Sequence, residues 1–143
     1  VLFNVGSKAM KSLTLLFSVV LIFTNTSVVA LGFLNPVNRL PQDKSFEVVD
    51  RLGTDTARIW CDAGRAAQSL TKRATDRIYV TRSYGPSVTS PGVDGVSFTL
   101  APTPEVLEKA QALSGPRTLS LRAVGNNMSI GQSVGYCVFE IDG

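Results

Sequence analysis

The sequence predicts a small single α+β domain: an antiparallel sheet with two helices, room for a third, and one disulfide. Three observations carry that prediction. The segments follow the order β-α-β-β-α-β with a further C-terminal segment, which suits an α+β architecture better than a parallel doubly wound sheet. The stretch that reads as mature protein, Leu31–Gly143, has 113 residues, enough for one hydrophobic core. Its two cysteines, Cys61 and Cys137, are the only ones in the chain.

Residues 1–30 read as a secretory signal rather than as fold. Lys8 and Lys11 flank Met10, the better candidate start, and Leu13 to Phe23 is almost uninterrupted apolar sequence. Thr24–Ser27 interrupts it, and Val28-Val29-Ala30 offers a small-residue cleavage site. A retained membrane anchor is the alternative, but a spanning helix needs about 20 consecutive apolar residues. Cleavage at Ala30 would lower the formal net charge from +3 to +1 by removing Lys8 and Lys11, so the basic balance is largely a targeting signal.

Leu31–Ser45, with Pro36 and Pro41 and no period, reads as an extended N-terminal arm ahead of a domain over residues 46–143. Phe46–Asp50 is a candidate strand ended by Gly53. Ala57, Trp60, Cys61, Gly64, Ala67 and Thr71 then recur at three- and four-residue steps. Arg58, Asp62, Arg65, Gln68 and Lys72 fall opposite, which predicts an amphipathic helix with a small-residue face lying close to a sheet. Arg77–Arg82 alternates and is β-rich, as is Val96–Leu100, and the two predict an antiparallel hairpin. Between them Ser83–Gly95 reads as a long exposed loop. Thr103 as cap, Pro104 at the first helical position and Glu105 nearby start a second helix, with Val106, Leu107, Ala110 and Leu113 as its apolar face. Gly115-Pro116 stops it. Leu119, Leu121 and Ala123 alternate as a further strand up to the turn at Gly125-Asn126-Asn127. Ser129 and Gln132 have capping-box spacing, favouring a short helix from Ser129 to Cys137, although Val134–Ile141 also alternates as a strand.

In an exported chain an even cysteine pair most often forms a disulfide. A Cys61–Cys137 bond would close a loop of about 76 residues and contribute about 4–5 kcal/mol on the chain-entropy account. Two buried thiols or a reactive thiol are the alternatives, but reactive thiols favour a C-x-x-C pair or a neighbouring His.

The absence of histidine excludes Ser-His-Asp and Cys-His nucleophile systems, an imidazole base and His-ligated zinc. No cofactor, metal site or catalytic motif is expected. The generic machinery that remains is paired carboxylates, for which Asp50, Asp55 and Asp62 are the candidates of a small envelope hydrolase. The more site-like segment is the 83–95 loop, where Arg82, Tyr84, Pro86 and Ser87 could form a binding surface for an envelope or secreted protein. Trp60 reads as core more than as a stacking platform. Arg58, Arg65, Lys72, Arg73 and Arg77 read as a charged solvent face more than as an anion patch. With a mature charge near zero, nucleic acid is not an expected partner. Asn127-Met128-Ser129 matches a glycosylation sequon, relevant only in a eukaryotic secretory route.

Ile59–Ala67, Asp76–Val80, Gly85-Pro86-Ser87, Val96–Leu100 and the late Tyr136-Cys137 together resemble a group of small exported alphaproteobacterial proteins of unknown function, over about residues 46–137. The resemblance implies an export route and a shared disulfide, and implies no chemistry. The expectation is therefore a small exported, non-enzymatic binding domain.

Overall fold

A computed structural model describes residues 35–113 and 118–137. The segment read as a signal peptide, residues 1–30, lies outside them, as does everything after Cys137. Eight elements follow in order: β1 (Val37–Arg39), β2 (Ser45–Asp50), α1 (Thr56–Gln68), β3 (Arg77–Pro86), β4 (Asp94–Thr99), α2 (Pro104–Ala112), β5 (Asn127–Ser129) and α3 (Ile130–Gly135). The strands form one five-stranded sheet in the order β1-β2-β4-β3-β5, and every pairing is antiparallel. The α+β class, the hairpin of β3 and β4, and the short third helix all agree with the sequence reading.

Alternation divides the sheet into two faces. Phe46 and Val48 of β2, Val96 and Phe98 of β4, and Ile78 and Val80 of β3 are buried in one core with Ile59, Trp60, Ala63 and Ala67 of α1. Phe46 stacks on Phe98 with centroids 5.8 Å apart, and Trp60 meets Phe98 edge-on at 5.2 Å. The Trp60 indole N–H donates to Leu119 O at 3.0 Å, so the ring is core with its one polar atom satisfied. All six residues of β2 are buried, which places covering groups on its second face as well.

Helix α1 begins where Asp55 accepts from Arg58 N at 2.8 Å and ends at Gln68, one turn earlier than the Thr71 expected from periodicity. Beyond Gln68 the chain is already turning, with Leu70 N and Thr71 N both donating to Ala67 O. Trp60 and Ala67 of its small-residue face pack on the sheet as expected, while Gly64 of the same face makes a close approach to α3. A Cβ on Gly64 would stand 2.8 Å from Ser133 Cβ and 2.9 Å from Val134 N, so only glycine lets the two helices meet there. Next to that contact Cys61 and Cys137 are joined, with their Cα atoms 5.0 Å apart.

Further local expectations need correction. The 83–95 loop is shorter than alternation suggested: β3 runs on to Pro86 and β4 starts at Asp94, leaving residues 87–93 as the connection. Two register shifts, between Val80 and Arg82 and between Arg82 and Gly85, put extra residues into β3 and hide its continuation from a period-two count. Leu119–Ala123 is not a strand; it is irregular chain in which Leu121 O accepts from Tyr84 N at 2.9 Å. The expected apolar face of α2 is mostly open, with Val106 buried but Leu107 and Leu113 exposed. Asp62, placed on the solvent side of α1, is buried. Part of the stretch read as an extended arm covers it: Asn35 Nδ2 donates to Asp62 Oδ2 at 3.0 Å and to Thr54 Oγ1 at 2.9 Å, and Val37–Arg39 enters the sheet as β1.

Candidate binding groove

The face of the sheet turned away from α1 and α3 carries the other half of the alternation: Ser45, Glu47 and Val49 of β2, and Gly95, Ser97 and Thr99 of β4. A groove of about 580 Å³ lies over it. Its floor includes Ser45, Thr81, Ser97 and Thr99. Val88 and Thr89 of the hairpin connection line one part of it, Thr103 and Val106 at the start of α2 another, and Arg39–Gln42 a third.

The connection is held in place by a buried carboxylate. Glu47, only 1% exposed, accepts from Ser87 Oγ at 2.9 Å, Val88 N at 2.8 Å, Thr89 N at 3.0 Å and also from the Thr89 hydroxyl. Burial by itself pushes the Glu47 carboxyl up, but the hydrogen bonds from Thr89, Val88 and Ser87 outweigh it and hold the group below its ordinary value of 4.5. The side chain reaches the connection by crossing Gly95, where a Cβ would stand 2.8 Å from Glu47 Oε1. Asn38 Nδ2 adds a bond to Thr89 Oγ1 at 2.8 Å, tying the edge strand β1 to the same wall.

The groove floor is chemically uneven. Ser45 and Thr99 are joined hydroxyl to hydroxyl at 2.9 Å, and Thr99 Oγ1 also accepts from Ala101 N. The side-chain hydroxyls of Ser97 and Thr81 have no hydrogen-bond partner among the described residues, and neither Arg39 nor Arg82 has an ion-pair partner among them. Ser133 Oγ, under α1, is the buried unpartnered side-chain atom of the described residues. Ser97 lines the groove but is itself buried, with 4% of its surface exposed. No acidic residue lines it.

The residues singled out in the sequence do not converge. Arg82 lines the groove; Ser87 does not, its hydroxyl donating to Glu47 one residue ahead of the lining Val88. Tyr84 lies elsewhere, lining a separate hollow of about 410 Å³ with Thr54, Asp55, Ile59 and Leu121. Its hydroxyl donates to Asp50 Oδ2 at 2.9 Å; burial of that hydroxyl, then the bond and charge of Asp50 and the nearby Asp94, push Tyr84 up to about 12 although the ring is 41% exposed. Pro86, exposed, ends β3 opposite Asp94. Sequence reasoning missed Glu47, Ser97, Thr81 and Arg39; the available signal for Glu47 was an acid set inside a strand between Phe46 and Val48-Val49.

The three candidate catalytic carboxylates are each engaged. Asp55 caps α1, Asp50 accepts from Thr54 N at 2.9 Å and from Tyr84, and Asp62 pairs with Arg58 at 3.3 Å. Burial pushes the Asp62 carboxyl up despite the Arg58 charge and the bonds from Asn35. The cation-rich stretch is also largely committed, Arg58 to Asp62, Arg73 to Asp76 and Arg77 to Asn127. Asn127 of the sequon is 5% exposed with Nδ2 donating to Gly125 O, so it is closed to a glycosylating enzyme in the folded chain.

Among the described residues no helix is long and apolar enough to cross a membrane, and no cluster of three or more Cys, Asp or Glu could hold a metal ion. The disulfide fits an oxidising compartment. Searches against protein-family models, curated proteins and solved structures return no match.

Proposed function

We propose that this protein is a small exported domain that acts by binding another envelope or secreted protein through the groove on the second face of its sheet. The observation that carries the reading is the groove itself: a concave surface of about 580 Å³ whose wall is fixed by four donors on one buried carboxylate. A wall held this way loses little freedom when a partner arrives, and that lowers the entropic cost of association. Unengaged polar groups beside apolar Val88, Leu40 and Val106 are the mixture that recognition surfaces use. Export is supported by the apolar segment at residues 13–23 and by the disulfide.

The test compares partner capture by the wild-type chain with capture by Val88→Asp, which places a charge in the groove, and by Gln111→Glu, exposed on α2 well away from its start. Capture lost in the first and kept in the second supports the groove. Equal capture by all three would remove it. Intact mass of the recovered protein checks export: loss of residues 1–30 is the expected result.

A further inference from the structure

The second face of the sheet carries a polar row that crosses four strands in register. Asn38 of β1 pairs with Glu47 of β2, Glu47 with Ser97 of β4, and Ser97 with Arg82 of β3. Half of the row holds the groove wall: Asn38 and Glu47 both bond to Thr89, and Glu47 also accepts from Ser87 and Val88. The other half is not engaged. Ser97 is 4% exposed and lines the groove, and its hydroxyl has no hydrogen-bond partner among the described residues. Arg82 is exposed, lines the same groove, and has no ion-pair partner among them. A buried hydroxyl left without a partner is uncommon in a folded protein and calls for a reason.

Thr81 joins this pair because β3 is irregular there. Successive side chains of a regular strand point to opposite faces, yet Thr81 and Arg82 both line the groove. The register shift between Val80 and Arg82 sets Thr81 as an extra residue against β4, and such a bulge re-aims a side chain. Its hydroxyl is also without a partner among the described residues. Arg39 borders the groove at the sheet edge, but it pairs with Phe46 of the core face, so its side chain leaves β1 on the opposite side. The floor thus presents one guanidinium and two unpartnered hydroxyls, and no acidic residue lines the groove. A guanidinium offers paired donors that fit a planar carboxylate, and hydroxyls can donate to its remaining lone pairs. One positive charge balances a monoanion, whereas a dianion would keep a charge unmatched. Leu40, Pro41, Val88, Ala101 and Val106 make the rest of the lining apolar, and the volume of about 580 Å³ is that of a small-ligand site.

We infer that Arg82, with the hydroxyls of Ser97 and Thr81, receives the carboxylate of a monoanionic ligand whose apolar body lies against Leu40, Val88 and Val106. The inference rests on the groove being the binding surface and names the chemistry it selects. That chemistry is a carboxylate on an apolar body, supplied by a free acid or by the apolar last residue of a partner chain.

The test is an NMR titration of the oxidised chain with octanoate, octanamide, acetate, sodium sulfate, and the tripeptide acetyl-Gly-Ser-Leu as free acid and as amide. The expected result is that octanoate or the free-acid tripeptide shifts the Arg82 side-chain N–H and the Thr81, Ser97 and Val88 amides. The tighter of the two should bind at least about tenfold more tightly than its own amide and than acetate. Which of them is tighter identifies the source of the carboxylate. Arg82→Gln should weaken it by about tenfold and Arg82→Lys by less, because lysine keeps the charge and loses the fork. Ser97→Ala should weaken it by about fivefold. An amide that binds as well as its acid would overturn the carboxylate, and acetate binding as well would overturn the apolar body. Sulfate shifting the same signals as strongly would mean an adventitious anion only and would overturn the inference. So would shifts confined to other surfaces, or none. Partner capture lost in Val88→Asp but kept in Arg82→Gln would then leave the groove reading standing without it.

Discussion

Glu47 shows how one side chain connects sequence to surface. It sits in the middle of β2, where alternation turns it away from the aromatic core, and Gly95 on β4 leaves the space its carboxylate needs. Replacing it with Ala strands two backbone N–H groups and two hydroxyls, at a cost of about 2–4 kcal/mol by denaturant melting, with faster hydrogen exchange at Val88 and Thr89 as the local signature. Its carboxyl is held below 4.5 in the fold, so the folded state binds fewer protons than the unfolded one. Its stabilisation is therefore complete above about pH 4.5 and is lost as the pH falls through the lower folded value. Asp62 works in the opposite sense. Burial raises its carboxyl above 3.8, so its contribution is largest at low pH and falls as the pH climbs from 3.8 through the raised value. Asp62→Asn keeps an acceptor for Asn35 and removes that titration, so the variant should gain on the wild type as the pH rises through that window, read as the difference in melting midpoint at each pH.

At the scale of elements, the punctuation was legible and the packing was not. Thr103 accepts from Val106 N and Ser129 from Gln132 N, as their spacing to proline and glutamine indicated, because a cap is a contact between residues three apart. The extension of β3 escaped notice because each register shift moves side chains between faces and breaks the period-two signal. The meeting of α1 with α3 was half legible: the small-residue stripe announced a close neighbour, but residues 61–67 do not encode which element that neighbour is. Gly64→Ala tests the contact directly. Its new methyl meets the Val134 backbone at 2.9 Å, which has little room to yield, so the substitution should destabilise by about 1–3 kcal/mol despite alanine's better helix propensity. A gain in stability would mean that the helices are looser than 2.8 Å implies.

For the whole molecule, two sheet faces divide the work. One builds the core with α1 and α3, and its residues were legible as the apolar half of each strand. The other makes the groove, and its residues were not, because Ser45, Ser97 and Thr99 are ordinary polar positions until β2 pairs with β4 across 54 residues of chain. The covalent bond belongs to this scale too. Reducing Cys61–Cys137, separated by 76 residues, should lower stability by about 4 kcal/mol, seen as a lower urea midpoint with reductant than without. An unchanged midpoint would show that the α1–α3 contact holds without it. The route of the chain also gives the bond a second meaning. Along the chain β2 precedes α1 and β4, its partner in the sheet, follows it, while Cys137 lies just beyond α3, the last described element. The two sulfurs, 76 residues apart in sequence, meet where α1 packs against α3. A closed bond therefore reports one specific event, the meeting of the first helix with the end of the third, rather than the pairing of any two strands.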